Sequence, residues 1–153
     1  MATKRTGDSW RTAHDYGRTL PFFTVNLLVH DLQRSLAFYR DVLGAVVIYS
    51  DADFAALKVK DLEFMLHADH AYDHHAWFAD LERGERRGLG AELRLFQTDP
   101  DLIERRAREF GATILQPAQD MPHGWRDVIL ADPDGYTWAV GSALVAQCPH
   151  GKS

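Results

Sequence analysis

The stretch that decides the fold is His123-Gly-Trp-Arg-Asp-Val-Ile-Leu-Ala-Asp-Pro-Asp-Gly-Tyr-Thr-Trp-Ala-Val-Gly141. Its centre, Asp132-Pro133-Asp134-Gly135, has the chemistry of a tight turn. Proline at the second position fixes φ near about −65°, the aspartates hydrogen-bond local backbone, and glycine takes a positive φ at no steric cost. The flanking runs, Trp125–Leu130 and Tyr136–Val140, are rich in β-formers, so the stretch predicts a β-hairpin.

Working outward, the same arrangement of elements occurs twice. Phe22–His30 is a predicted strand, Asp31 caps a helix, and Leu32, Leu36, Phe38, Tyr39 and Leu43 give that helix an apolar face ending at Gly44. Ala45–Ser50, Phe54–Val59 and Leu62–His67 follow as extended runs, giving βαβββ. After a polar connection, Ala91–Gln97 alternates as a strand and Asp99 caps a second helix that runs to Gly111. Ala112–Leu115 begins the next strand, and the two hairpin strands complete another βαβββ. Cap to glycine is 13 residues in the first copy and 12 in the second. Two copies in register are an internal duplication, which outweighs any single strand–helix match.

The segments Val29-His-Asp-Leu32, Ser35-Leu-Ala-Phe-Tyr-Arg-Asp-Val-Leu-Gly44 and Gly124-Trp-Arg-Asp127, together with Asp132-Pro-Asp-Gly-Tyr-Thr-Trp138, resemble the vicinal oxygen chelate superfamily. That superfamily includes glyoxalase I, the extradiol dioxygenases and the bleomycin-resistance proteins. The resemblance covers roughly residues 22–142. It implies an α+β fold in which two βαβββ modules form an open, cup-shaped mixed β-sheet barrel. The expected organisation is an N-terminal extension (1–20), a domain (21–142) of module one (21–67), linker (68–89) and module two (90–142), and a C-terminal tail (143–153). Residues Met1–Asp8 are expected to be a loose leader, with Trp10 and Tyr16 available to anchor the rest of the extension. Fold alone does not choose among the superfamily's reactions.

Strand alternation selects the side chains that face the cup. Val25, Leu27 and Val29 are assigned to the helix side and Thr24, Asn26 and Leu28 to the other. Glu63, Met65 and His67 are preferred to Leu62, Phe64 and Leu66 as the polar face of their strand. In module two Glu92, Arg94 and Phe96 face inward, as do Thr137 and Ala139. His123, Trp125 and Asp127 join them at the hairpin. The candidate ligand-binding set is therefore Thr24, Asn26, Glu63, Met65, His67, Glu92, Arg94, Phe96, His123, Trp125 and Asp127.

A divalent ion needs at least three N or O donors with one position left open. The places where metal-dependent relatives hold their ligands fall here on Thr24, about Glu63, Glu92 and Ala139, and alanine has no donor. The expected protein is thus a small-molecule-binding protein of the bleomycin-resistance type, without metal, holding a partly aromatic or cationic ligand. The alternative is a glyoxalase-like lyase, isomerase or dioxygenase using Zn, Ni, Fe or Mn held by Glu63, Glu92 and His67. A histidine cluster (His67, His70, His74, His75) offers an i,i+4 pair, and its blander reading is a solvated loop. No nucleophile motif is present, so no catalytic residue is assigned.

Composition agrees with a soluble partner for small molecules. The 153 residues carry a net charge of −5, with arginines scattered among glutamates, which disfavours nucleic acid. No apolar run approaches the ~20 residues of a membrane span. The single cysteine, Cys148, cannot form an internal disulfide, so a cytoplasmic location is expected. The superfamily resemblance implies a homodimer, and each module's exposed sheet edge gives that expectation a physical basis.

Overall fold

A computed structural model of the chain describes residues 4–145, which divide into two compact units between Arg87 and Gly88. The first unit contains α1 (Ala13–Gly17), β1 (Asn26–Val29), α2 (Leu32–Asp41), β2 (Val46–Ser50), β3 (Phe54–Val59), β4 (Leu62–Ala68), a 3₁₀ turn (Asp69–Tyr72) and α3 (Phe78–Glu82). The second contains β5 (Glu92–Leu95), α4 (Pro100–Phe110), β6 (Thr113–Asp120), β7 (Trp125–Ala131) and β8 (Thr137–Ala143).

Each unit holds an open four-stranded mixed sheet of one topology, β1-β4-β3-β2 in the first and β5-β8-β7-β6 in the second. The first strand pairs parallel with the last, and the remaining pairs are antiparallel. The duplication read from sequence is therefore a duplication of structure. Neither sheet closes on itself into a barrel.

The helices start where the sequence places their caps. The Asp31 carboxylate accepts from the Arg34 N–H at 3.0 Å, and that of Asp99 from the Asp101 and Leu102 N–H groups. Such a cap satisfies a backbone donor that the helix itself leaves unpaired. On α2 the buried residues Leu32, Ser35, Leu36 and Tyr39 recur at helical spacing, and this face packs on β2, β3 and β4. Tyr39 and Phe64 meet edge to face at 5.3 Å and are fully buried. On α4 the buried residues are Pro100, Ile103 and Ala107, and Arg126 of β7 grips Asp101 through two bonds of 2.9 and 2.8 Å. Leu115, at a register shift in β6, and Pro117 lie in an edge strand, where missing ladder bonds cost least.

The Asp132-Pro-Asp-Gly turn forms as read. The Gly135 N–H donates to the Asp132 carbonyl at 3.0 Å with φ 99° at Gly135. The buried Asp132 carboxylate accepts from the N–H groups of Asp134 and Tyr136.

Three expectations change. The strand expected over 22–30 runs only over Asn26–Val29, with the Val25 carbonyl accepting from the Met65 N–H just before it and Phe22 and Phe23 exposed. The leader is not loose over 4–8: the Arg5 guanidinium reaches Asp51 at 2.8 Å, its N–H reaches Asp53 at 2.7 Å, and Lys4 pairs with Asp73. Residues 68–87 are not a bare linker either. Arg87 donates to both carboxylate oxygens of Asp69 and to the Leu28 carbonyl, fastening the segment back onto β1. Met1–Thr3 and Cys148 lie outside the described residues. No described helix is long and apolar enough to cross a membrane.

Candidate functional site

The first unit contains a cavity of about 700 Å³, a size in the range of small-molecule sites. Its walls come from three places in the sequence. The sheet supplies Asn26 of β1, Phe54 of β3, and Met65 and His67 of β4. The 3₁₀ turn supplies Tyr72, and the N-terminal segment supplies Arg5, Trp10, Arg11 and Tyr16.

The sheet residues share a face because pairing sets them side by side: Asn26 opposes Met65, and Phe54 opposes His67. The opposite face of β4 presents Phe64 and Leu66, both fully buried. This is the period-2 alternation of a strand with one face to the core and one to the site. Leu28, assigned to the site face, is buried and does not line the cavity.

The N-terminal segment is held over the sheet by aromatic and polar contacts. Trp10 stacks on Tyr49 at 4.7 Å with ring planes 10° apart, and Tyr16 lies at 5.8 Å from Trp10 and 5.5 Å from Phe54. The Tyr16 hydroxyl donates to Glu63 Oε1 at 2.9 Å. Burial, then the bond to Glu63 and its negative charge, push the Tyr16 pKa upward, so this phenol stays protonated. The Arg11 guanidinium rides on the Trp10 ring at 4.4 Å.

Within the cavity, His67 Nδ1 lies 2.7 Å from Asn26 Oδ1, and Asn26 Nδ2 donates to the Tyr72 hydroxyl at 2.9 Å. The imidazole contacts the rings of Phe54 at 4.9 Å and Tyr72 at 5.2 Å. Burial lowers the His67 pKa, against the opposing charges of Asp51 and Asp53, so the ring is neutral at pH 7. Asp51 is itself partly buried, which disfavours its charge. Bonds from Arg5, the Asp53 and Phe54 N–H groups and the Tyr49 hydroxyl outweigh that penalty and hold its carboxyl below the usual range.

The candidate residues thus fall into separate groups. Asn26, Met65 and His67 line the cavity. Thr24 and Glu63 stand beside it: the Thr24 hydroxyl donates to the Glu63 carbonyl at 2.7 Å, while the Glu63 carboxylate holds Tyr16. The other six belong to the second unit. There Arg94 bridges Glu92 at 2.7 Å and Asp127 at 2.9 Å, and His123 Nε2 lies 3.5 Å from the same Asp127 oxygen. Phe96 meets Trp125 edge to face at 5.1 Å. Asp127 is buried, so this arrangement supplies a counter-charge that a buried carboxylate needs.

At the positions the resemblance implies for a metal, the side chains of each unit are engaged elsewhere or lack a donor. Thr24 commits its hydroxyl proton to a carbonyl, Glu63 is engaged by Tyr16, and the buried Ala139 offers nothing. Among the described residues no three His, Cys, Asp or Glu side chains gather where one ion would hold them. The histidine cluster is dispersed: His70 pairs with Asp53 at 2.9 Å, exposed His74 approaches Asp73, and His75 packs on Tyr72 and Trp77. His70 and His74 share no helical face, because the turn ends at Tyr72. His70 is only 19% exposed at its side chain, so this stretch is more than a solvated loop.

The wall residues Phe54 and Tyr72 were not in the sequence-derived set. Phe54 was within reach of the alternation argument, since it begins the strand paired with β4. Tyr72 had no such signal.

Residues 21–140 match the model of the Glyoxalase/Bleomycin resistance protein/Dioxygenase superfamily. The chain belongs to that superfamily. Among solved structures it is similar to a glyoxalase/bleomycin resistance protein/dioxygenase from Nocardioides, at 22% identity and a TM-score of 0.64, covering 94% of this chain and all of the other. A family enzyme from Burkholderia phytofirmans PsJN gives 21% identity and a TM-score of 0.66 over 79% of this chain and 97% of the other. A fosfomycin resistance protein from Mesorhizobium loti gives 15% and 0.59 over 82% and 93%. At these identities the likeness is one of fold. No curated protein matches the chain.

Proposed function

We propose that this superfamily member binds a small planar aromatic molecule, without metal, in the cavity of its first unit. The observation that carries the reading is the cavity wall. Trp10, Tyr16, Phe54 and Tyr72 present aromatic surface to a space of small-molecule size, and Asn26 and His67 supply the polar anchor. Such walls favour stacking and edge contacts with another ring, each adding about 0.5–1.5 kcal/mol beyond simple burial. A few placed polar groups then fix orientation. The engagement of the Thr24 hydroxyl by a carbonyl and of Glu63 by Tyr16, with no donor at Ala139, supports ligand sequestration over the metal-dependent alternatives.

Calorimetric titration of the full-length protein with a panel of monocyclic and bicyclic aromatics, with and without EDTA, tests this. Saturable one-site binding unchanged by EDTA is expected. Binding that EDTA abolishes and Zn²⁺ or Ni²⁺ restores would overturn the metal-free reading.

A further inference from the structure

The proposed reading leaves open which aromatic molecules the cavity selects, and the protonation pattern around His67 narrows the choice. An amide oxygen cannot donate, so the 2.7 Å contact between His67 Nδ1 and Asn26 Oδ1 places the imidazole proton on Nδ1. At its other end the same amide contacts the Tyr72 hydroxyl, with Asn26 Nδ2 donating at 2.9 Å. Contacts with Phe54 and Tyr72 fix the ring plane. A neutral imidazole has a single N–H, so Nε2 carries a lone pair. Among the described residues nothing hydrogen-bonds Nε2, and it is not one of the sealed buried polar atoms. Asp51 and Asp53 are the charged groups that act on this ring, and Asp51 is itself paired with Arg5 at 2.8 Å.

We infer that His67 Nε2 accepts a hydrogen bond from a ring-borne O–H or N–H, so that the ligand class is a small phenol or aryl N–H compound rather than an aryl ether or a quaternary cation. The inference rests on the binding role proposed for this cavity. It assigns His67 the part of a positioned acceptor, with Asn26 and Tyr72 as positioning residues. The depressed pKa is consistent, because a protonated ring would have no acceptor to offer.

The test uses 4-fluorophenol and 4-fluoroanisole, which share a ring and differ in the donor, titrated by ¹⁹F NMR at pH 7.5. The phenol is expected to bind about tenfold more tightly, as a net hydrogen bond allows. His67→Phe keeps a ring between Phe54 and Tyr72 but removes the acceptor. It should bring the ratio of phenol to ether affinity to about one. Long-range ¹H–¹⁵N spectra of the unaltered protein give an answer that does not depend on how the variant folds. They should show the Nδ1–H tautomer at His67, with the Nε2 signal moving on addition of the phenol and not the ether. An Nε2–H tautomer, or equal affinities for the two ligands, overturns the acceptor role and leaves the binding reading standing. If neither ligand binds, both fall.

Discussion

The Tyr16 hydroxyl donates a 2.9 Å hydrogen bond to Glu63 of β4, tying the N-terminal segment to the strand that carries Met65 and His67. It makes residues outside the repeated module part of the site. Tyr16→Phe removes the donor but keeps the ring against Trp10 and Phe54, so the loss should be about 1 kcal/mol. Urea denaturation followed by circular dichroism measures it. An unchanged midpoint would mean that the bond does not hold the segment.

Trp10→Ala removes the ring stacked on Tyr49 together with one wall of the cavity. Affinity for a bound aromatic should fall about tenfold. Comparing calorimetric titrations of the two proteins checks this.

Much of the fold was legible because it is local and repeated. Asp31 opens one helix, which ends at Asp41 rather than at Gly44, Asp99 and Gly111 bracket the other, and the Asp132–Gly135 turn carries its conformation in its own residues. Asn26, Met65 and His67 could be assigned to one face because alternation along a strand needs only short-range information. The remaining walls could not. Trp10 and Tyr16 lie in a segment without periodicity, and their partners, Tyr49, Phe54 and Glu63, are 38 or more residues away. Tyr72 sits in a polar stretch that reads as a linker until Arg87 and Asp69 are seen to fasten it to β1. Contacts of that kind come from packing, which leaves no pattern in one chain.

The lowered pKa of His67 predicts a pH dependence with a definite sign. The unfolded chain, with an ordinary value of 6.5, binds the proton more readily than the folded one. Stability from this residue is therefore complete above about pH 6.5 and is lost as pH falls toward the lower folded value. Urea midpoints at pH 7.5 and 5.5 should fall further for the unaltered protein than for His67→Phe. An equal or smaller fall would contradict a depressed value.

Gly141 faces Asp127 across the β7–β8 ladder, and a Cβ there would lie 2.0 Å from Asp127 Oδ1 and 2.4 Å from the Arg126 carbonyl. Neither can yield cheaply, since one is backbone and the other belongs to the buried carboxylate that Arg94 holds. Gly141→Ala should cost about 3 kcal/mol, the upper range for overpacking, in chemical denaturation. A loss near zero would show that this part of the second unit is looser than described.

The most direct test of the central claim, that the first unit's cavity is the ligand site, is a methionine methyl ¹H–¹³C spectrum of full-length protein titrated with 4-fluorophenol. Met65 lines the cavity, whereas Met121 lies in the second unit and is not a lining residue. The predicted result is a saturable shift of the Met65 methyl while the Met121 methyl stays in place. Saturation of binding with Met65 unmoved would contradict the assignment.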